Sequence, residues 1–459
     1  MREGLQKVAA LDDTIVAVST PVGYSGLGVV RISGTQAASI VAIFFEPRTA
    51  LTHRRATLGR WMDYDDEVVD DVVVTLFRSP NSYTGEDVIE ISAHGNPLVL
   101  ARIVQMVEDT GARRATPGEF TLRAVMNGKM DLLQAEAIRD FIAAQTERQA
   151  RNAIRQVQGQ VSKRIAPGKK ILIDVIAHLE AGIDFAEDDV DIPGSLLLKQ
   201  QIQSLVDDFS RLQETFGYGR LLTAGLRLTI AGKPNVGKSS LFNRLVSADR
   251  AIVTDIPGTT RDVLTEMVTL DGIPLRCADT AGIRPTVDRV ESIGVERSFD
   301  ALAEADLVLV VVDGSRPLDN DDESVLKATE GLRRMIVVNK ADLPNGFVGS
   351  VDFAPASVGV SAKTGAGLEE LKDAIHSCLL SRQVEDDDEC VLTSTRQNEV
   401  LIRSIGALVN AQRAVVADTP HEMVLLDLYE ALGALNELTG ETTNEDILDR
   451  VFSTFCVGK

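Results

Sequence analysis

Long apolar runs and patterned cysteines are both missing from this sequence. No run approaches the roughly 18 apolar residues of a membrane-spanning helix, and the first residues are mixed polar rather than those of a signal peptide. The four cysteines, Cys277, Cys378, Cys390 and Cys456, show neither CxxC nor metal-ligand spacing and no secreted pattern. We therefore expect a soluble cytoplasmic protein in a reducing compartment, with no membrane partner.

Positive charge is also scarce. The 47 lysines and arginines face 68 acidic residues, which leaves a net charge of −21. Such a surface repels a phosphate backbone, so contact with RNA would require a local basic patch or a basic partner. The charged and apolar fractions, 25% and 44%, are those of a globular protein, and 459 residues predict about three domains.

One stretch organises the rest of the chain. Residues 232–239, GKPNVGKS, have the G-x-x-x-x-G-K-S spacing of a phosphate-binding loop, or P-loop. Residues 226–230 before it predict a strand, and residues 240–245 after it predict the first turns of a helix. The glycines let backbone N–H groups surround phosphates, Lys238 adds a cation, and Ser239 is placed to ligate Mg²⁺. For this motif alone, a glycine-rich turn between strand and helix is the alternative.

Four further segments follow in order: GTTRD at 258–262, DTAG at 279–282, NKAD at 339–342 and SAK at 361–363. Three of them follow predicted buried strands, at 273–278, 335–338 and 356–360, and an open α/β sheet binds its ligand at the carboxyl ends of its strands. The ordered set predicts a guanine-nucleotide domain.

The base is selected by Asp342, whose carboxylate can accept hydrogen bonds from guanine N1–H and from the guanine amino group. Asn339 and Lys340 would pack around the ring, and the Ala362 N–H would meet guanine O6. The residues predicted to bind GTP are Asn235, Val236, Gly237, Lys238, Ser239, Ser240, Thr254, Asp255, Ile256, Pro257, Gly258, Thr259, Thr260, Asp279, Thr280, Ala281, Gly282, Asn339, Lys340, Ala341, Asp342, Ser361, Ala362 and Lys363.

The N-terminal part, residues 1–128, predicts a small α+β domain. Its expected strands are 14–18, 28–32, 72–77 and 88–92, and its expected helices are 37–44 and 97–110. Two glycine-containing runs, TPVGYSGLG at 20–28 and PNSYTGED at 80–87, are typical of turns on composition alone.

The remaining segments predict a helical domain that is interrupted by the nucleotide domain. Residues 129–222 contain the helical patterns 131–145, 147–165, 169–181 and 196–216, and residues 223–382 form the nucleotide domain. After the acidic run at 385–389, which is typical of a solvated hinge, residues 383–459 contain the helical patterns 396–414 and 423–439. The two ends of an inserted domain should meet in space.

The tail, DRVFSTFCVGK at 449–459, has two interpretations. It is either a frayed terminus or a segment that presents Cys456 as a reactive thiol.

Several further motifs carry a family resemblance. They are DTI at 13–15 with RISG at 31–34, YTGED at 83–87, PGEFTLRA at 117–124, NGKMD at 127–131, QAEA at 134–137, IDF at 183–185 and the terminal CVGK. With them the chain resembles the MnmE (TrmE) family of tRNA-modification GTPases over nearly its whole length. The fold class that follows is multidomain α/β: an N-terminal α+β folate-binding domain that forms a homodimer, a discontinuous α-helical domain, and an inserted P-loop (Ras-like) α/β GTPase domain.

The resemblance also implies a reaction and a partner. It implies a heterotetramer with MnmG, which carries FAD, and binding of tRNA through that complex. Together the partners would add a carboxymethylaminomethyl or aminomethyl-type group at C5 of the wobble uridine of certain tRNAs. The one-carbon donor would be a tetrahydrofolate derivative, of the 5,10-methylene or 5-formyl type.

The folate contacts implied by the resemblance are Arg31, Glu90, Lys129 and Lys459, with Cys456 nearby. Basic groups suit a glutamyl tail, and a carboxylate suits the N–H edge of a pterin. The chain departs from the family at two places close to this pocket: it has GYSG at 23–26 where Gly-Arg-Gly-Gly is frequent, and HGN at 94–96 where His-Gly-Gly is usual.

Hydrolysis requires a group other than the usual glutamine, because Ile283 follows the DTAG segment. By resemblance the water-positioning residue is Glu291, for which an acidic helix face is the alternative. The predicted catalytic residues are Glu291, Lys238 and Thr260. The predicted Mg²⁺ ligands are Ser239 and Thr260, with Asp279 acting through water and the Gly282 N–H meeting the γ-phosphate. The predicted ligands of an activating K⁺ are Asn235, Thr254, Ile256 and Thr259.

Two other functions remain open from the sequence. One is a ribosome-assembly GTPase, which the acidic balance and the absence of a basic Gly-x-x-Gly domain disfavour. The other is a signalling GTPase whose flanking domains only dock partners.

Overall fold

A computed structural model describes residues 13–184, 195–247, 268–270, 272–277, 305–344, 357–379, 391–442 and 445–459. Contacts divide the chain into two compact units. The first comprises the described residues up to Arg139 and from Asn436 to Lys459, and the second the described residues from Asp140 to Leu435. Each unit has its own sheet, so the multidomain α/β class predicted from the sequence is confirmed. In these segments no helix combines the length and the apolar character that crossing a bilayer would require.

The first unit is built on a seven-stranded sheet. Its elements are β1 (Ile15–Val18), β2 (Ser25–Ser33), α1 (Ala37–Phe44), β3 (Phe45–Pro47), β4 (Thr57–Met62), β5 (Val68–Phe77), β6 (Val88–Gly95), α2 (Pro97–Asp109) and β7 (Arg113–Arg114). The strand order is β3-β4-β5-β6-β2-β1-β7, and every pair is antiparallel except β1 with β7.

One face of this sheet carries α1 and α2. Helix α2 begins where the Asn96 side chain accepts a hydrogen bond from the Leu98 N–H at 3.0 Å and Pro97 occupies the first turn. The buried side of α2, including Leu100 and Ile103, packs with strand residues such as Trp61 into one core. Arg31 of β2 and Glu90 of β6 alternate with buried apolar residues of these strands and therefore lie on the other face of the sheet.

The chain's last residues belong to the same unit. Helices α3 (Glu119–Met126) and α4 (Leu132–Ile142) form a small apolar cluster with the C-terminal helix Glu445–Phe452 and with Phe455. Gly118 has a φ of 70°, and a Cβ there would lie 2.7 Å from the Phe452 carbonyl oxygen. The tail is therefore packed, which contradicts the interpretation of a frayed terminus.

The second unit contains a helical part and a sheet. The helices before the sheet are α5 (Glu147–Val157), α6 (Gln160–Asp184), α7 (Ser195–Glu214) and α8 (Phe216–Ala224). The predicted break between residues 165 and 169 was wrong, because α6 continues through Pro167. The break lies instead at Gly159, whose φ is 76°, and Gly168 is a point of close packing: a Cβ there would lie 2.8 Å from Phe209.

The sheet of the second unit has six strands. Its elements are β8 (Leu226–Ala231), α9 (Lys238–Ser247), β9 (Val268–Leu270), β10 (Ile273–Cys277), β11 (Leu307–Asp313), α10 (Asn320–Ala328), β12 (Arg334–Asn339), β13 (Ser357–Gly359) and α11 (Leu368–Leu379). The order is β13-β12-β11-β8-β10-β9, parallel throughout except at the edge strand β9. Strand β11, which the sequence prediction missed, is buried along its whole length.

The chain enters and leaves this sheet at neighbouring points. Helix α8 contributes Tyr218 and Leu221 to the core of the sheet, and a Cβ on Gly219 would lie only 1.9 Å from the Leu392 carbonyl oxygen. The Leu392 N–H in turn donates to Thr215 Oγ1 at 3.2 Å. From there the chain continues into α12 (Thr395–Val416) and α13 (His421–Thr439), and α12 packs along α7; the C-terminal helix is α14.

Candidate functional site

The P-loop of the second unit has the backbone that its glycines predict. It leaves the carboxyl end of β8, and Gly232, Asn235 and Gly237 have φ values of 149°, 65° and 99°. A Cβ on Gly232 would lie 2.5 Å from the Val311 carbonyl oxygen, and a Cβ on Gly237 would lie 2.2 Å from Asn339 Nδ2. Both glycines are therefore needed for close approach as well as for conformation.

Asn339 joins three of the predicted loops. Its Nδ2 donates to the Val236 carbonyl oxygen at 2.8 Å, and its Oδ1 accepts from the Ala362 N–H at 3.0 Å. The side chain is 2% exposed, so its hydrogen bonds form away from water. Sequence reasoning placed Asn339 around the ring; the structure gives it the further task of positioning the P-loop and the SAK loop. The predicted contact with guanine O6 would therefore have to share the Ala362 N–H with Asn339 Oδ1.

The carboxylate predicted to select the base is oriented by the SAK loop. Asp342 Oδ1 accepts a hydrogen bond from Ser361 Oγ at 2.6 Å, and this bond lowers the pKa of Asp342, so the group is an acceptor at neutral pH. Arg244 of α9 donates to the Lys363 carbonyl oxygen at 2.8 Å and holds the loop from the other side. Both features suit recognition of a donor edge such as that of guanine.

Lys238 lies at the start of α9, with its ammonium turned back onto the loop. Its Nζ donates to the carbonyl oxygens of Gly232 at 2.7 Å and Lys233 at 2.8 Å, and burial lowers the pKa of this lysine. Ser239 and Ser240, in the first turn of the helix, are exposed, as is Asn235. A cation, hydroxyl oxygens and an amide oxygen therefore surround one helix N-terminus, which fits a magnesium–triphosphate group.

Lys340 is held by a residue that the sequence analysis missed. Its Nζ donates to Asp313 Oδ2 at 2.7 Å. Burial raises the pKa of Asp313, but hydrogen bonds from Lys340 and Ser315 outweigh it and lower that pKa to about 2. The available signal was the single acidic residue that closes the otherwise apolar run LVLVVVD. Ala341 follows in the same loop, and its N–H donates to the Val360 carbonyl oxygen at 3.0 Å.

The remaining predicted nucleotide and metal residues lie outside the described residues. They are Thr254, Asp255, Ile256, Pro257, Gly258, Thr259, Thr260, Asp279, Thr280, Ala281, Gly282 and Glu291. In the described part of the chain, no group of three or more histidine, cysteine, aspartate or glutamate side chains is arranged to hold a metal ion.

A second cluster of predicted residues lies in the first unit. Arg31 and Glu90 face each other across β2 and β6, and Arg31 Nη2 lies 2.8 Å from Glu90 Oε1. Arg31 Nη1 also donates to the Gly458 carbonyl oxygen at 3.2 Å. The guanidinium carbon lies 5.5 Å from the Tyr83 ring centre and 5.7 Å from that of Phe120. The sequence analysis did not assign these two aromatic residues to the site.

The C-terminal tail brings Lys459 close to Arg31 and Glu90, and Cys456 lies near Lys459. Gly458, with a φ of 94°, packs so closely that a Cβ would lie 2.4 Å from the Val18 carbonyl oxygen. Burial lowers the pKa of Lys459, and repulsion from Arg31 adds to this, while Glu90 and Cys456 act in the opposite direction. Cys456 is exposed and forms no disulfide.

Lys129 is connected to the cluster around Arg31 and Glu90 through an intervening loop. Its Nζ donates to the Pro80 carbonyl oxygen at 2.8 Å, and its stem lies beside Gly85. Residues 80–87 thus form the link between Lys129 and the Tyr83 ring that contacts Arg31. The side chain of Lys129 is exposed.

Other family motifs form a buried ion network beneath this cluster. Arg123, whose side chain is 1% exposed, pairs with Asp13, Glu86 and Glu119. Ser33 Oγ donates to Glu86 Oε2 at 2.6 Å. The motifs at 13–15, 83–87 and 117–124 therefore hold the scaffold together.

Comparisons with known proteins agree with these observations. The family model "MnmE helical domain" matches residues 132–456, and "GTP-binding protein TrmE N-terminus" matches residues 14–129. Proteins called tRNA modification GTPase MnmE are 46% identical in Koribacter versatilis and 40% identical in Alkaliphilus oremlandii, each over 98% of this chain and 100% of the relative.

Among solved structures, the G domain of T. maritima FeoB is 26% identical over 33% of this chain and 98% of that chain, with a TM-score of 0.24. The matches along the full length are decisive: this chain belongs to the MnmE family of tRNA modification GTPases, and it is a GTPase of that family.

Proposed function

We propose that this GTPase, activated by K⁺ and paired with an FAD-dependent MnmG partner, modifies the wobble uridine of certain tRNAs. The added group would be of the carboxymethylaminomethyl or aminomethyl type at C5, with a tetrahydrofolate derivative as one-carbon donor. The observation that carries the nucleotide part is the assembly of the P-loop, the NKAD loop and the SAK loop around Asn339. We also propose a cytoplasmic homodimer and keep the domain division at residues 128, 222 and 382.

The chain's own residues would act on GTP in distinct ways. Lys238 would exchange the carbonyl oxygens of Gly232 and Lys233 for phosphate oxygens, and Asp342 would accept the donor edge of guanine. Ser239 and Thr260 would hold Mg²⁺, which neutralises charge that develops on the phosphates. Glu291 would orient the attacking water.

The K⁺ requirement has a direct test. Asn235 would supply one amide oxygen, with Thr254, Ile256 and Thr259 as the other ligands. We expect faster hydrolysis in KCl than in NaCl for the wild-type protein, and equal rates in the two salts for Asn235→Ala, because an amide and carbonyl site selects cations by size. Equal wild-type rates in the two salts at matched ionic strength would contradict the K⁺ proposal.

Glu291 requires a separate test. Glu291→Ala should lose hydrolysis while its Kd for GTP stays within about threefold of wild type, since a water-positioning group acts only in the transition state. A large loss of affinity would instead assign Glu291 a structural role.

The folate proposal is supported by the two partly buried cations, Arg31 and Lys459, beside Glu90. Such a group suits the carboxylates of a glutamyl tail and the N–H edge of a pterin. Calorimetry of the full chain with 5-formyltetrahydrofolate should show binding that Lys459→Ala weakens and Lys163→Ala does not. Unchanged binding by Lys459→Ala would remove that residue from the site.

The complete function is tested in cells. Mass spectrometry of tRNA from a deletion strain should show an unmodified wobble uridine, restored by the wild-type gene and not by Cys456→Ser if the thiol takes part in the chemistry. Normal modification in the deletion strain would favour a ribosome-assembly or signalling GTPase instead.

A further inference from the structure

Six charged side chains of the second unit form a chain of contacts from the P-loop to the NKAD loop. We call them the bridging cluster: Lys233, Asp313, Arg316, Asp319, Asp322 and Lys340. Four of them lie between the end of β11 and the first turn of α10. Their geometry ties together two loops that must contact opposite ends of one nucleotide.

The base end of the cluster is Asp313. One of its carboxylate oxygens accepts from Ser315 Oγ at 2.7 Å, and the other accepts from Lys340 Nζ at 2.7 Å. The side chain is 8% exposed, so the carboxylate is fixed in direction and largely removed from water. The position of Lys340, in the loop that would hold guanine, therefore depends on Asp313.

The phosphate end of the cluster is Lys233, the second residue of the P-loop. Its Nζ pairs with Asp319 and lies 3.3 Å from Asp322 Oδ2. These two aspartates also cap α10, because Asp319 Oδ1 accepts from the Asp322 N–H and Asp322 Oδ2 accepts from the Asp319 N–H, both at 3.2 Å. A capping box requires no cation, so the contacts of these two aspartates with Lys233 are additional to capping.

Arg316 connects the two ends. Its guanidinium lies 2.9 Å from Asp319 Oδ2 and 3.1 Å from Asp322 Oδ2, and its Nε lies 3.5 Å from Asp313 Oδ2. Exposed ion pairs contribute little, but Asp313 and Asp322 are 8% and 2% exposed. The planar guanidinium contacts the carboxylates of Asp313 and Asp322 at once, which a lysine ammonium cannot do in the same geometry.

We propose that Arg316 is a positioning residue for nucleotide binding, which couples the P-loop to the NKAD loop before the nucleotide arrives. The inference rests on the proposed GTP site. A rigid nucleotide satisfies both loops only when their separation is correct, so a cluster that sets that separation lowers the cost of binding. Because the P-loop cradles the α- and β-phosphates and the NKAD loop contacts the base, GTP and GDP benefit equally.

The first experiment measures Kd for GTP and GDP by fluorescence titration of the full chain. Arg316→Met should weaken both nucleotides by the same factor, about tenfold, as expected for loss of charge-assisted hydrogen bonds. Arg316→Lys should recover part of the loss. The matched control is Lys327→Met, which removes one positive charge from an exposed position of the adjacent helix α10 and should leave both affinities unchanged.

The second experiment is a double-mutant cycle between the two ends. Lys233→Met and Asp313→Asn should be non-additive in Kd by at least about threefold when Arg316 is present, and additive in an Arg316→Met background. A purely structural role of Arg316 would lower affinity without changing this coupling. Arg316→Lys serves as the second background if Arg316→Met does not fold, which circular dichroism reports.

The outcomes separate the two proposals. Additive effects in the wild-type background, or Arg316→Met with wild-type affinity, would overturn the positioning role. A wild-type chain that binds neither GTP nor GDP would instead overturn the proposed nucleotide site.

Discussion

Replacing Glu119 by glutamine should strongly destabilise the first unit at neutral pH. Glu119 Oε1 accepts from Arg113 at 2.6 Å and from Arg123 at 3.1 Å, and Oε2 accepts from the Thr116 N–H at 2.8 Å. Its side chain is only 10% exposed. A neutral amide keeps the shape of this group but removes the charge that both guanidinium groups contact.

The magnitude follows from the pKa. Burial alone raises the pKa of Glu119, but the hydrogen bonds from Arg113 and Thr116 lower it from 4.5 to about 2. This difference corresponds to about 3 kcal/mol of stability at pH 7. Because the folded pKa is depressed, the contribution is complete above about pH 5, falls to about half near pH 3 and is lost near pH 2.

The assay uses the chain's single tryptophan. Trp61 is fully buried in the core of the seven-stranded sheet, so its emission reports urea unfolding of the first unit alone. The matched control is Glu108→Gln. Glu108 pairs with Arg114, whose side chain is 60% exposed, and its loss should cost less than about 1 kcal/mol.

Two results would contradict a stabilising role for the charge of Glu119. One is a cost below about 1 kcal/mol for Glu119→Gln at pH 7, which would mean that the ion network contributes no more than a surface pair. The other is a cost that stays constant between pH 7 and pH 3, which would mean that the charge of Glu119 is not its source.

Two glycine substitutions give further predictions. Gly237→Ala should weaken GTP binding more than about tenfold in a fluorescence titration, because its φ of 99° and a Cβ 2.2 Å from Asn339 Nδ2 would displace the P-loop; wild-type affinity would contradict this packing. Gly458→Ala should weaken 5-formyltetrahydrofolate binding in calorimetry, because a Cβ 2.4 Å from the Val18 carbonyl oxygen would displace the tail. The control Val457→Ala, at an exposed position, should leave this binding unchanged. Equal affinities of these two variants would mean that the tail is not part of the proposed folate site.

The loops of the nucleotide site were predictable because their chemistry is local. Spacing alone located the P-loop after β8, the NKAD loop after β12 and the SAK loop after β13, since each loop directly follows its strand in the chain. The strand that lies between β8 and β12 was missed. Strand β11 is a short apolar run, and periodicity does not separate such a run from a buried helix segment.

Local rules failed where tertiary packing opposed them. Pro167 predicts a helix boundary, yet α6 continues through it, and at the neighbouring Gly168 the helix packs closely against Phe209. Motif residues also took unexpected roles: Glu86 and Glu119 belong to a buried ion network around Arg123, in which the i,i+4 spacing indicates the Glu119 pair but nothing in the sequence indicates the Glu86 pair.

By itself, the sequence determined the identity and order of the nucleotide loops and the alternation of strands and helices, because these depend on residues close together in the chain. The contacts between residues far apart in the chain are set by the packing of the fold. The Gly458 carbonyl oxygen accepts a hydrogen bond from Arg31, which is 427 positions away in the chain. Arg316 lies between two loops whose motifs do not include it. Such contacts depend on how the packed elements close on one another, and the periodicity of a sequence carries no record of that.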